Sequence, residues 1–348
     1  FNNTLSAVKA SPGNEFPEIE YAANPSLPFS VEFVTPRTVR IRMATGPAGK
    51  DAESPMLAGP VPKDGSWQYE HTAAGHRYTS AAGSVTISEN PWRIELRDSN
   101  GRLLTQTDHA KDHSTTFSKL TPFSFIRRGS DYSRSVNAVF KLSPGEKIFG
   151  CGESFTGFDK RGQKVVLWTT DANGVQNRSM YKPIPFFMSS AGYGMFLHTS
   201  TPVTCDFGHS FSEQNSIMSG DDELDLFVFL GKPEEILGEY TALTGKSPVP
   251  PLWSFGMWMS RCTYLSEKEV REVAGKLRSN NIPCDVLHLD TGWFETDWRC
   301  DYKFSKNRFP SPEKMIQDLG KDGYKVSLWQ LPYFVPKNDL FPEIVSKG

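Results

Sequence analysis

The chain has 348 residues, 38% of them hydrophobic and 22% charged, with a net charge of −2. That length and composition can bury a large core and exclude a fibre or a disordered tail. The near-neutral charge, without any Lys/Arg run, excludes the concentrated positive face of a nucleic-acid binder, and no apolar run approaches the roughly 20 residues that cross a bilayer.

The opening residues Phe1-Asn2-Asn3-Thr4 read as neither an initiator nor a signal peptide, so a processed or trimmed start is expected. Residues 1–245 run in short alternating apolar and polar stretches broken by Gly, Pro, Asn and Asp, the pattern of an antiparallel β-sandwich without helices. Residues 31–35 and 39–45 alternate at period two. Trp92-Arg93-Ile94-Glu95-Leu96 leads into Asn100-Gly101, a hairpin turn signal, and Leu103-Leu104 follows. Leu224, Leu226, Val228 and Leu230 hold one face of a later strand. The five cysteines, Cys151, Cys205, Cys262, Cys284 and Cys300, lack paired spacing, which predicts buried free thiols rather than a disulfide framework or a metal site.

The pattern changes at Lys246-Ser247-Pro248-Val249-Pro250-Pro251, a joint that continues neither a helix nor a central strand. Over residues 246–348 strands and helices alternate. Residues 255–259 read as a strand, and Ser266-Glu267-Lys268-Glu269 is a capping box opening a helix with Val270, Val273, Ala274 and Leu277 inside. A buried strand over residues 284–290 ends at Asp290, where Thr291-Gly292 breaks the run. Ser311-Pro312 starts a second helix that carries Met315, Ile316 and Leu319 and stops by Gly323. Residues 325–331 form a third strand and 341–347 a third helix. Such an order implies parallel strands with right-handed crossovers. A closed (β/α)8 TIM barrel takes about 250 residues, so these are the first three βα units of an incomplete barrel, and the polypeptide is expected to continue past Gly348.

Five blocks carry a family likeness: Phe149-Gly150-Cys151-Gly152-Glu153; Trp168-Thr169-Thr170-Asp171 with Tyr181-Lys182-Pro183-Ile184-Pro185-Phe186-Phe187; Phe255-Gly256-Met257-Trp258-Met259; the strand ending at Asp290; and Leu328-Trp329-Gln330-Leu331-Pro332-Tyr333. On these the chain resembles glycoside hydrolase family 31, the α-glucosidase and α-xylosidase family, over residues 145–348. Residues 255–348 look more like its α-xylosidase branch. The resemblance implies a galactose-mutarotase-like sandwich whose active-site loop, near residues 155–185, crosses the barrel mouth. It also implies retaining hydrolysis by two carboxylates on the fourth and sixth barrel strands, so that no catalytic residue lies in this chain. What remains is the grip on the substrate. By resemblance Asp290 accepts hydrogen bonds from the terminal sugar's hydroxyls, Asp171 reaches in from the sandwich loop, Trp329 walls the sugar, and Trp293, Tyr264 and Thr291 lie close by.

Each residue also has a plainer reading. Asp290 suits a helix N-cap or a loop ion pair, Asp171 a turn, Trp329 and His288 the core, and Asp297, Arg299 and Asp301 a rim of charge pairs. Thr291-Gly292-Trp293 sets the sugar: Gly292 opens space and Trp293 closes it from the side. Release of α-xylose from xylo-oligosaccharides comes first, with α-glucosidase and a non-catalytic carbohydrate-binding fragment as alternatives. Neither a cofactor nor a metal is implied. The expected partner is an oligosaccharide, with no nucleic acid or membrane, and homo-oligomers remain open. The compartment, cytoplasmic or exported, is equally open; Asn2-Asn3-Thr4 and Asn177-Arg178-Ser179 match the glycosylation acceptor pattern.

Overall fold

Strand Glu223–Leu230 shows how the alternating pattern becomes a layered structure. Leu224, Leu226, Val228 and Leu230 enter a buried cluster with Val31, Ile41, Val85, Ile94 and Phe140, while the intervening Phe227 and Phe229 enter a second cluster with Val34, Phe196 and Ile236. The strand is therefore covered on both sides. The second cover is the helix Pro233–Thr244, with Tyr240 stacked on Phe186 at 4.1 Å. This helix corrects the reading of residues 1–245 as all-β. Its start is visible in the sequence as Pro at the first turn followed by Glu234 and Glu235. Its apolar stripe is thin, with only Ile236 and Leu243 buried, so periodicity did not reveal it.

The computed structural model describes residues 6–10, 19–22, 29–45, 54–89, 92–108, 122–127, 129–131, 133–171, 176–296 and 298–348. Asn2-Asn3-Thr4 and Asp297 lie outside the described residues. Contacts divide the chain into two compact units, residues 1–246 and 247–348.

In the first unit Glu223–Leu230 lies in a six-stranded antiparallel sheet, ordered Ile148–Glu153, Lys182–Ser189, Tyr193–Leu197, Glu223–Leu230, Thr38–Ala44, Phe29–Thr35. A five-stranded sheet runs Phe123–Arg127, Arg134–Lys141, Gln214–Ser219, Val203–Phe207, Lys164–Leu167, and a five-stranded meander covers Gln68–Thr72 to Leu103–Gln106. Buried residues from these three sheets share one core, which is the sandwich, and Ser6–Ala10 pairs with Ile19–Ala22 in a separate two-stranded sheet. Within the meander, the Asn100-Gly101 signal forms its hairpin turn: Gly101 takes φ +80° and donates its N–H to Asp98 O at 3.0 Å.

The second unit is built on three parallel strands, Trp258–Ser260, Val286–Leu289 and Lys325–Leu328, in that order. The first starts later than expected. Residues Leu252–Phe255 form a 3-10 turn, held by Gly256 N–H to Trp253 O, and the indole of Trp258 donates to Ser254 O at 3.0 Å. Helix Glu267–Ser279 buries Val270, Val273, Ala274 and Leu277, as the spacing predicts. Only half of its capping box is as read: Ser266 Oγ accepts from Glu269 N, but the Glu269 carboxylate turns to Leu265 N and Arg261. Helix Pro312–Lys321 buries Met315 and Leu319 and leaves Ile316 exposed. Helix Phe341–Lys347 completes the third βα unit. Of the five thiols, Cys262 is exposed, contrary to the expectation of burial, and the other four are buried.

Candidate functional site

Strand Val286–Leu289 divides its side chains between two faces. Leu287 and Leu289 pack in a buried cluster with Val270, Ala274, Met315 and Leu319 of the two helices, so by alternation His288 and Asp290 share the opposite face. His288 sits opposite Ser327 on the next strand and its Nδ1 meets Ser327 Oγ at 3.1 Å. It is a half-buried, partnered histidine.

Asp290 takes the capping role. Its Oδ1 accepts the Thr291 N–H at 2.8 Å, capping the 3-10 turn Thr291–Trp293. Its Oδ2 lies 4.0 Å from His288 Nε2 and makes no hydrogen bond to a described residue. One oxygen fixes the carboxylate and the other is available to a hydroxyl donor at the end of a parallel strand, where βα units place their binding residues. The side chain keeps 26% of its surface exposed.

The loop after Asp290 is held from three directions. Thr263 Oγ1 accepts the Gly292 N–H at 2.7 Å, Arg308 donates to the carbonyls of Gly292 and Phe294, and the Trp293 indole N–H donates to Trp329 O at 2.9 Å. A methyl group on Gly292 would collide with Thr263 Oγ1 and Tyr264 O. Gly292 therefore does not open space beside the sugar; it admits the neighbouring loop, and this corrects the role expected of it. Thr291 is buried in the turn, and Trp293, at 4% exposure, packs on Phe294 and Phe304. Tyr264 is buried in the same cluster, where its hydroxyl has no hydrogen-bond partner among the described residues and burial raises its pKa.

Trp329 follows the third strand, half-buried, and its main-chain N–H donates to Leu289 O at 2.8 Å, which sets it beside the residue preceding Asp290. Asp290, Thr291, Trp293, Tyr264 and Trp329 thus form one neighbourhood. Sequence reasoning missed Thr263 and Arg308, which secure the turn after Asp290, and Ser327, which partners His288; the Asn307-Arg308-Phe309-Pro310 run was the available signal for Arg308. Among the described residues neither Arg299 nor Asp301 forms an ion pair; Asp297, the third residue of the expected rim, lies outside them. Arg299 donates to Lys337 O, and Asp301 accepts the N–H groups of Thr296 and Lys303.

Asp171 belongs to the first unit. It is exposed, at the end of a segment where Thr170 N–H donates to Met180 O at 2.8 Å, and residues 172–175 beyond it are outside the described residues. Nearby, Trp168 and Thr169 line a cleft of about 220 Å³ together with Pro183, Pro185 and Thr199. The preceding stretch is anchored by Lys160, buried without a carboxylate among its hydrogen-bond partners: its ammonium donates to Ser154 Oγ, Thr156 Oγ1 and Gly157 O. Upstream, Gly150, Cys151 and Gly152 all take positive φ at a bulge against Lys182–Ser189, and a methyl on Gly152 would strike Lys182 O.

Two family profiles match the two units. The glycosyl hydrolase 31 N-terminal galactose mutarotase-like domain matches residues 28–206, and the glycosyl hydrolases family 31 TIM-barrel domain matches residues 247–348. The chain belongs to glycoside hydrolase family 31.

Among its relatives in the family is the alpha-xylosidase XylQ of Lactiplantibacillus pentosus, 35% identical over 72% of this chain and 32% of that protein. Alpha-glucosidase 2 of Bacillus thermoamyloliquefaciens is 31% identical over 82% of this chain and 35% of its own length. The chain spans about a third of the length of these two relatives. The solved family 31 dextranase of Flavobacterium johnsoniae, complexed with isomaltotriose, superposes with a TM-score of 0.84 at 23% identity, over 99% of this chain and 41% of that one. That likeness shows the fold: a galactose-mutarotase-like domain followed by the opening segment of a family 31 TIM barrel. Among the described residues no group of three or more His, Cys, Asp and Glu is placed to hold a metal ion, and no helix is long and apolar enough to cross a membrane.

Proposed function

We propose that this chain supplies the substrate-gripping part of an exo-acting, retaining α-glycoside hydrolase that releases a terminal α-linked sugar, with α-xylose from xylo-oligosaccharides as its first substrate. The observation that carries the reading is Asp290: one oxygen is locked into the turn and the other is left available at the strand end, with Trp329 alongside. An acceptor-only carboxylate suits a hydroxyl-bearing ring, since bonds to a charged group are about twice as strong as neutral ones. Trp329 offers that ring an apolar wall. Asp171, exposed on the sandwich segment, is proposed as an acceptor for a sugar hydroxyl. Thr291, Trp293 and Tyr264 act from within, by fixing the turn that aims Asp290.

The chemistry itself is assigned to a pair of carboxyl groups about 5 to 5.5 Å apart in sequence following Gly348, one attacking the anomeric carbon and the other protonating the leaving oxygen. Xylose is preferred on the likeness to the Lactiplantibacillus pentosus alpha-xylosidase. The likeness to alpha-glucosidase 2 supports glucose as the second reading. The test is hydrolysis of p-nitrophenyl α-xyloside and α-glucoside by the polypeptide extended past Gly348, with the first-formed product anomer followed by NMR. Turnover with the α anomer appearing first supports the proposal; release of the β anomer, or no turnover of either glycoside, overturns it.

A further inference from the structure

The loop between Asp290 and helix Pro312–Lys321 holds a bulky residue in an unfavourable conformation at the surface. Trp298 has φ +63° and is 65% exposed, and Cys300 and Tyr302 also take positive φ. The left-handed region costs a non-glycine residue about 1–2 kcal/mol, and Trp298 recovers little of it by burial. Its neighbours hold it there. Cys300 is fully buried, and the buried Asn338 donates its amide to Arg299 O at 2.6 Å and to Cys300 O at 3.2 Å. Tyr302 donates its hydroxyl to Gln330 Oε1 at 2.9 Å. A chain segment anchored this firmly, with an indole displayed rather than tucked in, is built to present that indole.

What it is presented beside follows from ring contacts. Trp298 meets Trp329 edge to face, centroids 5.4 Å apart and planes at 77°, and Trp329 is itself tied to Leu289, the residue before Asp290. Trp329 therefore links the two, bonded through its main chain to the residue before Asp290 and touching Trp298 with its ring. Perpendicular indoles form a corner with two apolar walls, and the Tyr302 hydroxyl and Gln330 amide add polar groups within the same loop cluster. A pyranose has that character, with C–H faces for stacking and hydroxyl edges for hydrogen bonds.

We infer that Trp298 is the stacking platform for the leaving-group sugar, the ring on the far side of the scissile bond from the one held by Asp290. This rests on the reading of Asp290 given above and adds to it a specificity-determining residue. It makes Trp298 matter for oligosaccharides and not for substrates whose leaving group carries no ring.

The experiment compares wild type, Trp298→Ala and Trp298→Phe in the polypeptide extended past Gly348. An α-linked disaccharide is assayed against the α-glycosyl fluoride of the same sugar, xylosyl or glucosyl according to which the wild type hydrolyses. Trp298→Ala is expected to lower kcat/KM for the disaccharide about tenfold, the equivalent of about 1.4 kcal/mol, with the fluoride unchanged and Trp298→Phe in between. The unchanged fluoride rate also reports that the variant is folded. An equal fall on both substrates, or no change on either, overturns the inference while leaving the site reading intact. A wild type inert toward both overturns the site reading and this inference with it.

Discussion

The indole N–H of Trp293 donates to the main-chain oxygen of Trp329 across 2.9 Å, tying the turn after Asp290 to the end of the third parallel strand. Both residues were singled out from the sequence as neighbours of a sugar, and the bond gives them different tasks: Trp293 braces from inside, and Trp329 remains half-exposed. Trp293→Phe keeps most of the ring volume and removes the donor, leaving a carbonyl without its partner. Unfolding in urea should show a loss of about 1–3 kcal/mol. A midpoint and slope equal to wild type would remove the brace from the account.

Gly292 and Thr263 test the same turn from the other side. Gly292→Ala places a methyl against Thr263 Oγ1 and Tyr264 O, and Thr263→Val leaves the buried Gly292 N–H without an acceptor. Each change should cost about 1–3 kcal/mol. Because the two residues touch, the double variant should lose less than the sum of the single losses. Strict additivity in equilibrium unfolding would show that they do not form one contact.

In the sandwich, Asp225 takes two hydrogen bonds from the Arg40 guanidinium, at 2.7 and 2.8 Å, and lies 2.8 Å from His198 Nδ1. Burial pushes its carboxyl upward, but the bonds to Arg40 and His198 outweigh burial and hold it below the ordinary 3.8. A carboxyl lower in the folded than in the unfolded state contributes stability that is complete above the unfolded value. That contribution disappears as pH falls through the unfolded value to the folded one. Stability of the wild type should therefore drop on acidification below about pH 4, and Asp225→Asn, less stable at neutral pH, should show a shallower drop. Parallel acid limbs for the two proteins in thermal unfolding would contradict this.

The division into an antiparallel half and a β/α half was legible because each has its own period. Val270, Val273, Ala274 and Leu277 repeat at helical spacing, and Leu224, Leu226, Val228 and Leu230 repeat at two. The helix Pro233–Thr244 was not legible, since a helix lying on the outer face of a sheet needs few apolar residues and this one buries two. The strand end at Asp290 was legible because a strand end announces itself through the residues that break it. The bracing residues were not, since Thr263 and Arg308 stand 27 and 18 positions from Asp290 and meet its loop only through the fold. Gly292 illustrates the limit of local reasoning: a glycine beside a presumed pocket reads as room for the ligand, whereas here a neighbouring loop occupies that room.

The most direct test of the account is the effect of Asp290→Asn on hydrolysis by the polypeptide extended past Gly348. The side-chain oxygen that caps the turn can be kept, while the charge that would grip the sugar is removed. Losing a hydrogen bond to a charged group is worth about 1.5–3 kcal/mol, so kcat/KM for the preferred p-nitrophenyl α-glycoside should fall about 10- to 150-fold with the unfolding midpoint little changed. A folded variant that retains wild-type kcat/KM would contradict the claim that Asp290 holds the substrate.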